Sequence, residues 1–226
     1  MTATDTGVGK TVLSAALLAA MAAAGEPVRA YKPVVTGLED EDEITARGIW
    51  PPDHELLAAV AKMAPEDVSP LRFGPAVSPH LAVELAGERI DPAAVVAGAR
   101  AGAPGRTLVV EGVGGLLVPL AQSYTVCDLA VELGLPLLIA ARPGLGTINH
   151  TLLTLQAARA TGLEVRAVVL TPWPAEPSPI ERSNRETIAR LGEVEVHTLS
   201  RVLAPNRAEL ARAGDELPWR RWLQAS

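Results

Sequence analysis

A short stretch near the start of the chain has the residue types and spacing of a phosphate-binding loop. Thr4-Asp5-Thr6-Gly7-Val8-Gly9-Lys10-Thr11 ends in a Gly-Lys-Thr triplet, and an apolar run follows it. In such loops backbone N–H groups surround phosphate oxygens, the lysine reaches the outer phosphates and the hydroxyl lies on Mg²⁺. The apolar run is typical of the helix whose N-terminus faces the anion. The residues predicted to hold a nucleotide here are Gly7, Val8, Gly9, Lys10, Thr11 and Val12.

Three further groups of polar residues follow predicted strands. Lys32-Pro33-Val34-Val35-Thr36-Gly37 starts with a lysine and continues to a hydroxyl, and Glu111-Gly112-Val113-Gly114-Gly115 places a carboxylate before a flexible loop. In Gly144–His150 we expect Thr147 to cap a helix start, where neighbouring glycines favour an anion site. A carboxylate that ends an apolar strand beside a phosphate-binding loop commonly serves Mg²⁺, directly or through water.

Lysine is rare in this chain, which makes its positions informative. Only Lys10, Lys32 and Lys62 occur, against 20 lysines and arginines together. The lysine ammonium is a compact point charge, whereas the arginine guanidinium is a planar fork of donors. We therefore expect Lys10 and Lys32 to occupy sites that need a compact positive charge. The alternatives are a surface role for Lys32 and a turn-capping role for Glu111. Lys62 is assigned to an ordinary helix.

Apolar strand-like runs alternate with helical runs, which predicts a parallel sheet covered on both faces. The predicted strands are Val28–Lys32, Thr107–Glu111, Pro136–Ala140, Val165–Leu170 and Val194–Thr198. The predicted helices are Thr11–Ala24, Asp53–Met63, Asp91–Ala101, Val126–Leu133, Ile148–Thr161 and Pro179–Leu191. The expected fold is α/β: a single P-loop NTPase domain over residues 1–226, with a mostly parallel central sheet. Ligands of such sheets bind at the carboxyl ends of the strands.

Composition limits the class of protein. The 226 residues are 48% hydrophobic, enough for a sizeable core, and the net charge of -6 argues against a protein that coats nucleic acid or an anionic membrane. The single Cys127 is expected to be a buried structural thiol. Neither a signal peptide nor a membrane span is visible, so we expect a cytoplasmic protein.

Several segments are predicted without a chemical role. Gly37–Pro52 is expected to be irregular, and its acidic residues 39–43 to form a solvated loop rather than a metal site. Pro172–Pro179 is expected to be a Pro-rich loop. Trp219-Arg220-Arg221-Trp222 is expected to pack its indoles on the domain rather than to anchor a membrane or an interface. Only Met1-Thr2-Ala3 precede the loop, so its strand is either very short or starts upstream.

Taken together, the motifs resemble those of dethiobiotin synthetase. The phosphate loop, Lys32–Gly37, Ser78-Pro79-His80, Glu111–Gly115 and Gly146–His150 occur in that family's order, and the resemblance runs to about Leu191. It implies a cyclo-ligase of biotin biosynthesis that uses CO₂ and ATP with Mg²⁺ to close a ureido ring on 7,8-diaminononanoate. The implied intermediates are a carbamate and a carbamic-phosphoric anhydride, and the products are dethiobiotin, ADP and phosphate.

The resemblance also implies roles for individual residues. Lys32 matches the family's catalytic lysine, and Lys10 is expected to act with it by supplying positive charge from a second side. The implied Mg²⁺ ligands are Thr11, Asp53 and Glu111. The further nucleotide contacts implied are Gly112, Val113, Gly114 and Thr171. The implied substrate contacts are Thr6, Thr36, Gly146, Thr147, Ile148 and Asn149. In the family the last four come from the other subunit, which implies a homodimer. His150 is left outside the catalytic set.

The chain departs from the family pattern at three positions. Ala3 replaces the first glycine of the loop, and Gly7 replaces a glutamate that some members carry there. Thr171-Pro172 stands where some members have an asparagine that can read adenine. One hydroxyl and a residue without an N–H weaken such readout, so we expect ATP to be accepted with little selectivity for the base.

Two other classes share parts of this pattern. A switch ATPase of the partition or division-site type has the same kind of loop, but it carries a signature lysine where this chain has Asp5. The membrane-targeting member of that class also needs a basic amphipathic tail, which Ala204–Ser226 does not provide. The synthetase domain of a glutamine-dependent amidase requires a fused glutaminase domain with a nucleophilic cysteine, for which the chain is too short.

Overall fold

Helices and strands alternate along the computed structural model, which describes residues 1–224; Ala225 and Ser226 of the predicted domain lie outside the described residues. The strands are β1 (Thr2–Ala3), β2 (Val28–Tyr31), β3 (Val34–Val35), β4 (Leu71–Arg72), β5 (Thr107–Val110), β6 (Pro119–Ala121), β7 (Tyr124–Thr125), β8 (Leu137–Ala141), β9 (Val165–Trp173) and β10 (Val196–Ser200). The helices are α1 (Lys10–Ala23), α2 (Glu41–Arg47), α3 (Asp53–Ala61), α4 (Pro65–Val68), α5 (Pro79–Leu85), α6 (Pro92–Arg100), α7 (Val126–Leu133), α8 (Thr147–Ala160), α9 (Pro179–Gly192), α10 (Arg207–Asp215) and α11 (Trp219–Trp222).

The central strands are parallel, as predicted. One sheet has the order β1-β8-β9-β10, and β2 pairs with β5 in a second parallel ladder. Two hydrogen bonds join the ladders at Met1: its amino group donates to the Val110 carbonyl (2.7 Å), and the Gly112 N–H donates to the Met1 carbonyl (2.9 Å). The carboxyl ends of β1, β2, β5, β8 and β9 therefore point to the same edge, where a ligand is expected.

Helices cover both faces of the sheet, because alternate strand residues enter different hydrophobic clusters. In β8, Ala140 packs with α1, α3 and α10, whereas Ile139 and Ala141 pack with α8 and α9. In β9, Val169 and Val168 divide in the same way. Strands that are buried on both faces have continuous apolar sequences. This pattern explains why the central strands could be predicted correctly.

Every predicted helix and strand is present, with ends within two residues except in β9, which continues to Trp173 rather than Leu170. The Pro-rich loop is accordingly shorter, residues 174–178. Cys127 is buried and free, and Trp219 and Trp222 are buried against the domain, so both of these predictions are confirmed.

The prediction of an irregular, solvated loop at residues 37–52 is wrong in part, because α2 forms there. Asp40 caps this helix by accepting a hydrogen bond from the Glu43 N–H (3.0 Å), and three acidic residues in its first turn complement the helix dipole. Glu39 and the acidic residues at positions 41–43 are exposed, as expected, whereas Asp40 is half-buried. Within residues 1–224, no group of three or more His, Cys, Asp or Glu side chains is placed to hold a metal ion. None of the helices in that range is both long and apolar enough to span a bilayer.

Candidate active site

The phosphate loop connects β1 to α1 and presents uncapped N–H groups. Gly9 is the N-cap of α1 with φ 96°, and no side chain caps the helix. Gly7 also has a positive φ, 68°. A Cβ on Gly9 would lie 3.3 Å from both Cγ2 and Oγ1 of Thr171, so backbone conformation and close packing both require glycine there. The free N–H groups and the positive end of the helix dipole make this an anion site.

Lys10 is buried at the first position of α1. Its Nζ donates to the Gly114 carbonyl (2.9 Å), which ties the phosphate loop to the loop after β5. Burial lowers the pKa of Lys10 to about 8, although the nearby Glu111 carboxylate acts in the opposite direction. The ammonium therefore lies in a poorly solvated place that is ready for an anion.

Lys32, directly after β2, is buried between two carboxylates: the partly exposed Asp53 at the start of α3 and the buried Glu111 directly after β5. Its Nζ donates to Asp53 Oδ2 and to Glu111 Oε1, the latter at 2.8 Å. Burial alone would lower the pKa of Lys32, but the Asp53 and Glu111 charges outweigh it and raise the pKa above its ordinary value. Burial by itself would raise the pKa of Asp53, but the charge and the hydrogen bond of Lys32 outweigh burial and lower this pKa below its ordinary value. The Asp53 carboxyl group is therefore held ionised. The three residues form one charged cluster under the phosphate loop.

The same cluster has the oxygen atoms that a Mg²⁺ ion needs. Thr11 Oγ1 donates to Glu111 Oε1 (2.8 Å), and Asp53 opens α3 beside them. Glu111 is fully buried, and its Oε2 has no hydrogen-bond partner. A buried carboxylate oxygen without a partner is costly, and a cation would satisfy it. One hydroxyl and two carboxylates fit Mg²⁺, which completes its shell with water and phosphate oxygens.

The loop Gly112–Gly115 packs against the phosphate loop. Gly114 has φ 62°, and a Cβ there would lie 2.8 Å from Val118 Cγ2 and 3.5 Å from Thr6 Oγ1. A Cβ on Gly115 would lie 3.4 Å from the Ala3 carbonyl. Val113, between them, is half-buried. The glycines therefore allow the backbone after Glu111 to approach the backbone before Lys10.

Of the predicted substrate residues, Thr6 and Thr36 lie on loops that follow β1 and β3. Thr6 is exposed and Thr36 is half-buried. The next residue, Gly37, has φ 77° and donates its N–H to the Pro75 carbonyl (2.9 Å), which fixes the turn after β3. The hydroxyl of Ser78 lies 3.0 Å from His80 Nδ1 at the start of α5.

The start of α8 differs from the prediction. Gly146, with φ 90°, is the N-cap, and Thr147 is the first helical residue, with its hydroxyl buried 3.4 Å from that of Thr151. The expectation that Thr147 caps the helix is wrong, because glycine occupies the left-handed cap position. Gly146 and Asn149 are exposed and Ile148 is half-buried. This helix start lies open on the protein surface.

Two residues near the site were missed by the sequence analysis. Arg142, directly after β8, donates from its guanidinium to the Thr6 carbonyl (2.9 Å). Asn184 of α9 is buried and donates to the carbonyls of Pro143 and Gly144 (2.9 and 3.0 Å), which holds the segment before α8. The sequence pattern could have identified Arg142, because a charged residue directly after a strand is a candidate site residue. Asn184 lies inside an ordinary helical pattern, which gives no such signal.

The sequence is similar to proteins named as ATP-dependent dethiobiotin synthetases. The relative from Anaeromyxobacter sp. (strain Fw109-5) is 41% identical over 206 residues, which cover 86% of this chain and 89% of the relative. The relative from Mycobacterium avium (strain 104) is 39% identical over 219 residues, which cover 94% and 89%. A family model described as an AAA domain matches residues 1–204.

A solved structure shows the same fold. A ParA family ATPase from Chlorobium tepidum superposes with a TM-score of 0.52 over 95% of this chain and 87% of that chain. At 14% identity the likeness concerns the fold alone: an α/β P-loop architecture with helices around a parallel sheet.

We expect Lys32→Met to destabilise the protein strongly. Glu111 would remain buried without its cation, which typically costs about 3–5 kcal/mol. Lys62→Met, at an exposed position, is the matched control and should change the free energy of unfolding by less than about 0.5 kcal/mol. Adding Glu111→Gln to Lys32→Met should restore part of the loss, because the unpaired charge is removed. Urea unfolding without nucleotide or Mg²⁺ measures all four proteins, and a Lys32→Met protein as stable as wild type would contradict the buried pair.

We expect nucleotide binding to take up protons at alkaline pH. Free Lys10 has a pKa of about 8, and neighbouring phosphates raise it, so above that pH the complex holds more protons than the free protein. Uptake should approach one proton per nucleotide at a pH roughly one unit above 8 and should be smaller one unit below it. Calorimetry in buffers of different ionisation enthalpy measures this uptake. Equal uptake at both pH values would contradict the lowered pKa.

Proposed function

The chain belongs to the family of ATP-dependent dethiobiotin synthetases, and we propose that it is a ligase that closes the ureido ring of dethiobiotin on 7,8-diaminononanoate with CO₂. The observation that carries the proposal is the buried Lys32 cluster directly beneath a phosphate loop with its own buried lysine. Nucleotide binding by this loop follows from its uncapped helix start and from Lys10.

The reaction brings two anions together, and the lysines suit that task. One substrate amine adds to CO₂ and releases a proton to give a carbamate. A carbamate oxygen then attacks the γ-phosphorus, and the bond to the β-phosphate oxygen breaks to release ADP. The second amine attacks the carbonyl carbon of the resulting anhydride and releases a proton, the C–O bond to phosphate breaks, and the ring closes. Lys10 and Lys32 would provide fixed positive charge near the reacting oxygens, where water is largely excluded.

We further propose that Thr11, Asp53 and Glu111 hold Mg²⁺. The support is the oxygen donor set and the partnerless Glu111 Oε2. A bound Mg²⁺ would neutralise phosphate charge. Because Glu111 Oε1 already accepts from Lys32 and Thr11, these residues orient the carboxylate before any cation arrives.

The substrate contacts and the homodimer are also proposals. Thr6 and Thr36 would bind the amine or carbamate end of the diamine. The open start of α8, Gly146 to Asn149, would receive the carboxylate of the substrate bound to a partner subunit, because an uncapped helix N-terminus attracts anions. The neighbouring Leu145 is 96% exposed, which suits a surface that a second protomer covers.

The remaining expectations stay predictions: a single domain over residues 1–226, and a cytoplasmic location that suits the single free thiol. The switch-ATPase alternative is disfavoured by Asp5. Its side chain accepts from the Thr6 N–H (2.7 Å) within the loop, and a carboxylate cannot replace a lysine that reaches another subunit's phosphates.

We expect the purified protein to release phosphate only when 7,8-diaminononanoate, bicarbonate, Mg²⁺ and ATP are all present, and to form a cyclic urea. Lys32→Arg should still bind nucleotide but lose most turnover, because a planar fork does not fit the place of a point charge between Asp53 and Glu111. Lys62→Arg is the control and should keep wild-type turnover. Phosphate release and mass spectrometry of the product measure both, and phosphate release that does not depend on the diamine would contradict the function.

We expect other nucleoside triphosphates to replace ATP in part. Thr171 is buried against Gly9 and Pro172 has no N–H, so neither is suited to bidentate reading of adenine. CTP and GTP should support rates within about a hundredfold of ATP, a difference below about 2.7 kcal/mol. Diamine-dependent phosphate release with each triphosphate is the measurement. A rate below about a hundredth of the ATP rate with either CTP or GTP would contradict this interpretation of Thr171.

A further inference from the structure

The guanidinium of Arg142 contacts the phosphate loop through a backbone carbonyl. Arg142 directly follows β8, and its Nη2 donates to the Thr6 carbonyl (2.9 Å). A Cβ on Gly7 would lie 3.6 Å from the same nitrogen, so the guanidinium lies beside both loop residues. Within residues 1–224, Arg142 is exposed and takes part in no ion pair. The Thr6 carbonyl is therefore its one hydrogen-bond partner in that range.

The sheet and α9 fix the position of Arg142. Ala140 of β8 lies opposite Ala3 of β1, in the last pair of that ladder. Arg142 and Thr6 follow within a few residues, so one edge of the sheet brings them together. Asn184 of α9 then holds the backbone directly after Arg142 by donating to two successive carbonyls (2.9 and 3.0 Å). The guanidinium thus reaches the loop from a backbone that is itself anchored.

This contact determines the direction of the Thr6–Gly7 peptide group. The peptide is trans, so its C=O and N–H point in opposite directions. Because Arg142 binds the C=O, the Gly7 N–H points away from the guanidinium, and it has no hydrogen-bond partner among residues 1–224. It therefore adds a donor to the uncapped start of α1, and groups of free N–H donors of this kind bind anions.

Glycine at position 7 does not hold this peptide group by itself. Gly7 has φ 68°, and glycine adopts positive and negative φ at similar cost, so the peptide before it turns over easily. After such a turn, the Thr6 carbonyl oxygen would face the phosphates in place of the Gly7 N–H and would repel them. Asp5 holds only the preceding peptide, by accepting from the Thr6 N–H (2.7 Å). The hydrogen bond from Arg142 is what opposes the turn.

We propose that Arg142 is a positioning residue of the nucleotide site: it binds the Thr6 carbonyl and so keeps the Gly7 N–H directed at the phosphates. The inference rests on nucleotide binding by this loop and does not depend on the ring closure. Loss of Arg142 should lower the fraction of the protein whose loop is ready to bind, and the apparent affinity falls by that fraction. An exposed side chain with one hydrogen bond contributes little to the fold, so stability should not fall in parallel.

The first test compares Arg142→Met with Arg100→Met in the full-length protein. Arg100 is the matched control, because it is also exposed and its Nη2 donates to one backbone carbonyl, that of Glu132 (2.8 Å), between α6 and α7. Calorimetry measures the binding of ADP with Mg²⁺, and thermal unfolding without nucleotide measures Tm. Neither measurement includes the diamine, so a failure of the proposed ring closure and a failure of this inference are distinguishable.

The second test follows the Gly7 N–H directly. Labelling the threonine carbonyl carbon with ¹³C and the glycine nitrogen with ¹⁵N selects the Thr-Gly peptides of the sequence, which are Thr6-Gly7, Thr36-Gly37 and Thr161-Gly162. The N–H groups of Gly37 and Gly162 already donate to backbone carbonyls (2.9 and 3.0 Å), so their signals are internal references. Relaxation of the ¹⁵N signals measures the motion of each N–H group on timescales from picoseconds to milliseconds.

We expect Arg142→Met to weaken ADP binding by at least about fivefold, which corresponds to a binding-competent fraction of about one fifth. Arg100→Met should change the affinity by less than about twofold, and both proteins should keep a Tm within about 5 °C of wild type. Without nucleotide, the Gly7 signal of Arg142→Met should show added motion that ADP suppresses, whereas the two reference signals stay unchanged.

Other results overturn the proposal. A loss of affinity below about fivefold would show that the loop does not depend on Arg142. A larger loss without added motion of Gly7 would instead assign Arg142 to a direct charge contact with the nucleotide. A Tm lowered by more than about 5 °C in Arg142→Met would assign the contact to the stability of the fold.

Discussion

The ion pairs of the buried Lys32 hold the site together, one with the buried Glu111 and one with the partly exposed Asp53. Its ammonium joins Asp53 at the start of α3 to Glu111 at the end of β5, and Glu111 also accepts from Thr11 in α1. Charges buried as deeply as those of Lys32 and Glu111 are tolerated only when they are paired and hydrogen-bonded. The cluster thus fixes two helices and two strand ends relative to one another, and the chemistry of the phosphate loop depends on that arrangement.

The parallel sheet determines where this cluster can form. All of its central strands end at the same edge of the sheet. The residues that directly follow these strands therefore lie close together.

Long apolar elements were predictable and short polar ones were not. A buried parallel strand such as Val165–Trp173 has a continuous apolar pattern, whereas α2 depends on one side-chain cap at Asp40. The helix α10 packs closely on α1 because Gly214 lies against the Ala16 carbonyl, where a Cβ would be 2.1 Å from the oxygen. That contact joins residues almost two hundred positions apart, and no local pattern encodes it.

By itself, the sequence determined the phosphate loop, the α/β order and the strand ends that carry Lys32 and Glu111, because these depend on local spacing and hydrophobic periodicity. The tertiary structure alone decided that Lys32 lies between Asp53 and Glu111 and that Thr171 packs on Gly9. Each of these joins residues far apart in the chain, brought together by burial and charge rather than by propensity. The family motifs predicted the residues of the site, and tertiary packing determined the contacts between their side chains.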